Sequence, residues 1–524
     1  MTPTLRPVRR PFATMIVCGS LLLVGCTSSA DLVNDEPDAT ASSPTASPTG
    51  VPEELATFYE QDVDWSGCGA FECATVEMPV DYDAPEGSTI ELAIKKRPAD
   101  DQGARIGTLF INPGGPGGSG QDYVDSFTSQ TDADLLARYD VVGFDPRGVG
   151  ESTPLTCLSD EELDAYIEGD PDPDTAAEAR GFYEAIEGLG NACAANSGDL
   201  AAHVSTQEVA QDLDVLRGIV GDATINYDGA SYGTAIGATY AELFPERVGR
   251  MVLDGAIDPA LSNEEISLGQ SEGFHRALEA YVADCVEGGS CPLGTDAEAG
   301  VEQVGELLDG LDAQPLQTND PERPLTESLG FYGIALPLYN EQGWPVLSRA
   351  LEAAMDGDGS VLLAIADQYL SRDSNGNYAD NSTQVIYAVN CLDAREATPE
   401  PITGEQATKV AKQTEDAYTD VSPVFGRVFA WDAQSCGVWP IEPTEEPLEI
   451  DAEGAPPIVV IGTTRDPATP YEWAQGLASE LDSGVLISRD GDGHTGYNMG
   501  NLCVDDAVNS YLLDDEVPED GLEC

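Results

Sequence analysis

Short apolar runs alternate with amphipathic ones through the first half of the chain. Residues 90–94, 107–112 (GTLFIN), 139–144 (YDVVGF), 224–227 and 250–254 read as strands, because compact apolar runs bounded by turn residues mark strands buried on both faces. Between them Ser205-Thr-Gln-Glu208 forms a capping box. It opens a helix whose Val209, Leu213, Leu216 and Val220 recur at helical spacing. A further helix is predicted over 234–244, and strands over 457–462 and 485–488. Strands alternating with helices predict an α/β protein with a mainly parallel sheet covered on both faces. Between about 262 and 450 the pattern changes to helical segments such as 272–285, 299–308 and 346–355. This stretch reads as an inserted, mostly helical cap, after which the chain returns to finish the sheet.

The most informative punctuation is Gly229-Ala-Ser231-Tyr-Gly233. A G-x-S-x-G with a strand before it and a helix after it is the context of a nucleophile elbow. The turn is too sharp for Cβ atoms at both glycines. It thrusts Ser231 Oγ out of the sheet at a helix N-terminus, where the dipole favours developing negative charge. Such a serine needs a base, normally histidine, and the sequence has three. His203 precedes the capping box, His275 lies in the cap, and His494 sits in the glycine-rich GDGHTG loop after the last predicted strand. Sheets with this elbow carry nucleophile, acid and histidine in that chain order, which selects His494 and leaves His203 and His275 as packing or surface residues.

The acid should follow a strand between the two. Asp466 does so in TTRDPATP, and Thr469-Pro-Tyr-Glu472 reads as a capping box with Pro470 at the first helical position. Asp254, at the end of an earlier strand, is the rival. The loop 112–120 (NPGGPGGSG) supplies an oxyanion hole with Gly115 as one backbone donor and Tyr232, after the nucleophile, as the other. The P-loop lysine is absent, and no G-x-G-x-x-G falls in a dinucleotide context. In FDPRGVG, Asp145 and Arg147 are expected to pair and stabilise the loop beside the site.

Three further features bear on location. Arg6, Arg9 and Arg10 precede a short apolar stretch, 12–24, that ends in Leu-Val-Gly-Cys26. This is the order of a lipoprotein signal peptide over 1–25 with lipidation at Cys26; an ordinary secretory signal is the alternative. Residues 26–52 are Ser/Thr/Pro-rich and read as a flexible tether. The body then divides into 53–261 (core), 262–450 (cap) and 451–524 (C-terminal part of the core). Of twelve cysteines, Cys18 leaves with the signal and Cys26 carries lipid, so ten remain. The simplest pairing is neighbour to neighbour: Cys68–Cys73, Cys157–Cys193, Cys285–Cys291, Cys391–Cys436 and Cys503–Cys524. Disulfides fit an exported protein, whereas zinc spacing is absent. Asp and Glu number 95 against 23 Lys and Arg, a net charge of −72. Such a chain repels phosphate backbones, which excludes nucleic acid as a partner.

Together INPGGPGGSG, VGFDPRGVG, YDGASYGT, MVLDGAIDP, CPLG, SRDSNGNY, NCLD, TTRDPATPY and the GDGHTGY tail resemble the tripeptidyl-aminopeptidase branch of the prolyl-aminopeptidase-like α/β-hydrolases. They also resemble the exported actinobacterial lipoprotein serine hydrolases, known as carboxylesterase A or envelope protease. The resemblance spans nearly all of 64–524. It implies an α/β-hydrolase fold with a helical cap and a C-terminal TAP-like subdomain, and Ser231, Asp466 and His494 as the triad. The arginine of TTRD departs from the pattern and bears on the acid's environment. The activity implied is acyl transfer without metal or organic cofactor, in a membrane-anchored extracytoplasmic protein. The substrate is either a peptide shortened from its N-terminus, with cap acids such as Asp393 binding the ammonium, or a lipid or small-molecule ester. A lipid-anchored binding module with a dead site is a third reading, against which the complete set of site residues argues.

Overall fold

The computed structural model describes residues 51–394 and 402–524. The expected signal peptide, Cys26 and most of the tether lie outside the described residues. A ten-stranded sheet forms from β1 (Ser66–Cys68), β2 (Phe71–Pro79), β3 (Thr89–Arg97), β4 (Gly107–Asn112), β5 (Tyr139–Phe144), β6 (Ile225–Ala230), β7 (Val248–Asp254), β8 (Ile458–Arg465), β9 (Gly484–Asp492) and β10 (Leu522–Glu523). Their spatial order is β1-β2-β3-β5-β4-β6-β7-β8-β9-β10. The β1–β2, β2–β3 and β3–β5 pairs are antiparallel, and every pair from β5 onward is parallel.

Every residue of β4 and of β6 is buried, as expected of central parallel strands covered on both faces. On one face the helices Thr206–Ile219 and Tyr232–Leu243 pack through residues such as Leu213, Leu216 and Ile236. On the other, Gly120–Gln130 and Leu502–Asp514 contribute Val124, Phe127, Val504 and Tyr511. The capping box at Ser205 is present, with Glu208 returning to the Ser205 N–H.

Between β7 and β8 the described chain is helical, beginning with Asn263–Glu287 and ending with Ser435–Val438. The predicted helices at 272–285, 299–308 and 346–355 lie within Asn263–Glu287, Ala297–Ala313 and Trp344–Met355. This layer has its own apolar core around Phe274, Leu329, Leu347, Leu362 and Phe425. Leu163 and Ile167 of the helix Asp160–Ile167 join that core, so a segment between β5 and β6 also builds the cap. The disulfides are Cys68–Cys73, Cys157–Cys193, Cys285–Cys291, Cys391–Cys436 and Cys503–Cys524.

The register lines up the carboxyl ends of the central strands. Asn112 lies opposite Gly229, Ala230 opposite Asp254, and Asp254 opposite Ile461. The loops leaving these ends are those that carry Gly115, Ser231 and Asp466, and a crevice outside strand carboxyl ends is where open α/β sheets place ligands.

Candidate active site

Ser231 follows β6 with φ 57° and ψ −126°, a conformation that non-glycine residues adopt only under local constraint. Its neighbours explain the constraint. A Cβ at Gly229 would lie 2.4 Å from the Gly233 carbonyl oxygen, and one at Gly233 2.8 Å from that of Asn112. Only glycine lets strand, turn and helix approach this closely. Ser231 is half-buried, and its N–H donates to the Asp254 carbonyl at 2.8 Å.

His494 and Asp466 meet directly. Both carboxylate oxygens of Asp466 lie 2.9 Å from His494 Nδ1. Asp466 is buried and also accepts the N–H groups of Ala468 and Thr469 on Oδ1 and of Thr495 on Oδ2. Three backbone donors thus fix the carboxylate that faces the imidazole. Burial disfavours the His494 imidazolium, but the charge and hydrogen bond of Asp466, helped by the charge of Asp254, outweigh it and raise the His494 pKa. The loop is braced from the cap as well: the His494 N–H donates to the Tyr339 carbonyl at 2.9 Å, and the Tyr339 ring stands edge-on to the imidazole at 5.5 Å. Among the described residues no hydrogen bond joins Ser231 Oγ to His494. Such contacts are often long before substrate binds.

The glycine loop abuts the elbow. A Cβ at Gly114 would fall 2.7 Å from the Tyr232 nitrogen and 2.9 Å from Ser231 Cβ. The Gly114 N–H is taken by Asn112 Oδ1 at 2.8 Å. Gly115 comes next, and Tyr232 opens its helix, where a backbone N–H has no intrahelical acceptor.

Several expectations need correction. Asp145 and Arg147 do not pair. Arg147 is buried and makes a two-pronged contact with Asp212, at 2.8 and 2.7 Å. Asp145 turns instead to Ser119 Oγ, the N–H and side chain of Gln121, and the Glu151 N–H. The donors of a helix start are closer to Asp145 than the guanidinium, which reaches the acids of the next layer. No capping box forms at Thr469: the helix Tyr471–Glu480 takes Pro470 as its N-cap, without a side-chain cap. The Thr469 hydroxyl lies 3.3 Å from His494 Nδ1, and its N–H is held by Asp466. Arg465 pairs with Asp490 and Asp492, and none of the Asp466 hydrogen bonds involves it. Asp393 has both oxygens occupied by Thr206, one by its N–H and one by its hydroxyl.

Of the other histidines, His203 is bonded to Glu208 at 2.6 Å. His275 lies on the cap helix Asn263–Glu287, its pKa lowered by burial. Asp254 does not contact the His494 ring through a hydrogen bond. Its carboxylate instead accepts the N–H groups of Gly496 and Tyr497, and burial pushes its pKa up to about 6. Sequence reasoning weighed Asp254 only as a rival acid; the strand-end position next to the elbow was the available signal for its actual place. Behind it, Asp228 is buried with one oxygen unpartnered, its pKa raised by burial first and by the Asp254 charge second. The two carboxyls line a cavity of about 220 Å³ with Tyr123, Phe127 and Tyr497.

Comparison with known proteins agrees with this architecture. Residues 422–524 match the family model described as TAP-like protein. Serine protease Hip1 of Mycobacterium tuberculosis is 38% identical over 88% of this chain and 91% of its own length. Carboxylesterase B of the same organism is 38% identical over 98% of both chains. Tripeptidyl aminopeptidase of Streptomyces lividans is 30% identical over 88% of this chain and 86% of its own. With its mixed sheet, its elbow and these relatives, the chain belongs to the tripeptidyl-aminopeptidase-like family of α/β-hydrolases and is a serine hydrolase.

Proposed function

We propose that the protein is an exported, lipid-anchored peptidase that releases short N-terminal peptides through a Ser231–His494–Asp466 acyl-enzyme mechanism. The observation that carries the reading is the bonding of Asp466 to His494 Nδ1 at 2.9 Å. It leaves Nε2 as the nitrogen that takes a proton, in a loop tied to the elbow bearing Ser231. His494 removes the Ser231 proton as Oγ attacks the scissile carbonyl. The N–H groups of Gly115 and Tyr232 receive the oxyanion, because that of Gly114 is already committed to Asn112. Asp466 holds the tautomer and stabilises the imidazolium. His494 then protonates the leaving amine, and a water activated by the same imidazole releases the acyl group. The names of two relatives, a serine protease and a tripeptidyl aminopeptidase, support a peptide substrate. Five disulfides support an oxidising compartment, consistent with a signal peptide and a lipid at Cys26.

The second reading is a carboxylesterase, favoured by the relative of that name, which matches 98% of this chain. Peptide amides and acyl esters assayed side by side, with wild type and Ser231→Ala, separate the two. The peptidase reading expects amide cleavage that disappears in the variant. Ester hydrolysis without amide cleavage establishes the esterase, and turnover of neither class establishes a binding module. Membrane fractionation of Cys26→Ala tests the anchor: the variant should become soluble.

A further inference from the structure

We infer that the Tyr232 side chain, held by Asp393 of the cap through Thr206, positions the backbone N–H that Tyr232 offers to the oxyanion. The inference rests on the acyl-enzyme reading and adds to it how one of the two oxyanion donors is aimed. It applies to a peptide and to an ester substrate alike.

Three elements meet at these residues. Asp393 caps the carboxyl end of the cap helix Ser382–Leu392, just beyond Cys391, whose disulfide to Cys436 ties that helix to Ser435–Val438. Thr206 opens the helix Thr206–Ile219, and Tyr232 opens Tyr232–Leu243. The side chain of the N-cap Ser205 serves the Glu208 N–H, so the Thr206 N–H is left for an acceptor outside its own helix. It donates to Asp393 Oδ1 at 2.9 Å, and the Thr206 hydroxyl lies 2.5 Å from Asp393 Oδ2. The Tyr232 hydroxyl in turn lies 2.5 Å from Thr206 Oγ1. Burial lifts the Asp393 pKa to about 6, so at pH 8 the group is a carboxylate, which only accepts. The Thr206 hydroxyl therefore spends its one proton on Asp393, and its lone pairs take the proton of the Tyr232 phenol. Tyr232 and Thr206 are both buried, where a phenol hydroxyl needs such a partner.

The backbone on either side of Tyr232 is already pinned. The Ser231 N–H donates to the Asp254 carbonyl at 2.8 Å, and the Gly233 carbonyl accepts the Tyr227 hydroxyl at 2.8 Å. The oxyanion loop presses on the peptide between them, since a Cβ at Gly114 would lie 2.7 Å from the Tyr232 nitrogen. Within that frame the remaining anchor of Tyr232 is the far end of its own side chain. A tyrosine has few torsions to absorb slack, so fixing its hydroxyl fixes its Cα and the N–H beside it. Precision matters here because an oxyanion donor must end about 2.7–3.1 Å from the developing charge. The Tyr232 hydroxyl does not touch the substrate in this arrangement; it is a positioning group.

The cap thereby reaches both halves of the machinery. The Tyr339 carbonyl holds the N–H of His494, the base, and Asp393 holds the oxyanion side through Thr206 and Tyr232.

The test measures kcat and KM at pH 8 on a tripeptide p-nitroanilide and a short p-nitrophenyl ester, in wild type, Tyr232→Phe, Thr206→Val and Thr206→Ser. Alongside, it measures affinity for a tripeptidyl trifluoromethyl ketone and for the alcohol made by reducing it. Addition of Ser231 Oγ to the ketone carbon creates an oxyanion, which the alcohol cannot form. Tyr232→Phe and Thr206→Val should lower kcat by about ten- to a hundredfold, with KM little changed. Ketone affinity should weaken by the same factor, and alcohol affinity should stay as in wild type. Thr206→Ser keeps both hydrogen bonds and should stay near wild type throughout. A Tyr232→Phe enzyme with wild-type kcat and ketone affinity overturns the inference. So does equal weakening of ketone and alcohol, which would make the relay a binding or folding feature, and so does a Thr206→Ser enzyme as impaired as Thr206→Val. These outcomes leave Ser231 as the nucleophile. A wild type that binds the ketone no more tightly than the alcohol overturns the acyl-enzyme reading itself.

Discussion

Asp254 joins Ser231 to the histidine loop. Its carbonyl accepts the Ser231 N–H at 2.8 Å, while its carboxylate accepts the N–H groups of Gly496 and Tyr497, both at 2.8 Å. One residue at the end of β7 thus positions the turn of the nucleophile and the chain just beyond the base. Asp254→Ala leaves two buried N–H groups without an acceptor, at a cost of about 1–3 kcal/mol each. We predict a stability loss of about 2–6 kcal/mol in denaturant unfolding, with kcat reduced more than KM is raised. Asp254→Asn, which keeps one acceptor oxygen, should fall between. An unchanged kcat in Asp254→Ala would contradict the positioning role.

Ser231→Ala removes the nucleophile without touching the packing of the elbow, which depends on Gly229, Gly233 and the Asp254 carbonyl. Turnover should drop by about 10⁴–10⁶, with the thermal midpoint within a few degrees of wild type. Retention of substantial activity would refute the elbow assignment.

The base titrates where activity is read. His494 must be neutral to take the Ser231 proton, and Asp466 raises its pKa above the ordinary histidine value. The acidic limb of kcat/KM should therefore have its midpoint above about 6.5, and activity should fall as pH drops through it. Asp466→Asn removes the main raising influence and the partner that fixes the tautomer. Its rate should fall by about 10³–10⁴, and the residual limb should move to lower pH. A limb that stays in place would show that Asp466 does not act on His494.

These sites were legible to different degrees, for physical reasons. Strands β4 and β8 are buried along most of their length and show as compact apolar runs, TLFI and IVVIG, whereas β6 (INYDGA) carries Asn226 and Asp228 and shows mainly through the elbow that follows it. The elbow shows because the G-x-S-x-G pattern is local in sequence, although only Gly229 answers to a neighbour within the turn, Gly233, while Gly233 makes room for the Asn112 carbonyl of β4. By contrast β2 (FECATVEMP) has a largely half-buried or exposed first half and carries no such run, and it was missed. The partners of Arg147 were misjudged because Asp212 lies 65 residues away on another element, while Asp145, two residues off, was the only acid that local reading could offer. At Thr469 the local motif was present, but tertiary contact with Asp466 and His494 claimed the groups a capping box needs.

Reduction should weaken the fold in steps. Cys391–Cys436 closes the largest loop, with a separation of 45 residues, and joins the cap helix Ser382–Leu392 to Ser435–Val438. Loops of this size contribute about 3–4 kcal/mol by restricting the unfolded chain. Cys391→Ala with Cys436→Ala should lower stability by about that amount, more than loss of Cys68–Cys73, whose separation is 5 residues. Equal effects of the two removals would mean that loop length does not govern the contribution here.

The last prediction concerns alkaline pH. Asp170, Asp172 and Glu327 present carboxyl oxygens within 4.8 Å of one another, and both Asp172 and Glu327 are buried. Arg427 lies 3.2 Å from Asp172 and balances one negative charge. A second buried carboxylate beside the first is unfavourable, so burial and then the Asp172 charge hold Glu327 protonated far above the carboxylate range. The native state therefore keeps a proton that the unfolded chain has released above about pH 4.3. A group raised in this way makes its full contribution below its unfolded pKa, and that contribution shrinks as pH climbs toward the folded value. Stability should consequently fall between pH 6 and pH 9, by up to about 1.4 kcal/mol per pH unit for one such proton. Glu327→Gln carries no proton to lose and should flatten that slope, which denaturant unfolding at pH 6, 7.5 and 9 measures directly. A wild-type slope that survives in Glu327→Gln would place the titrating group elsewhere.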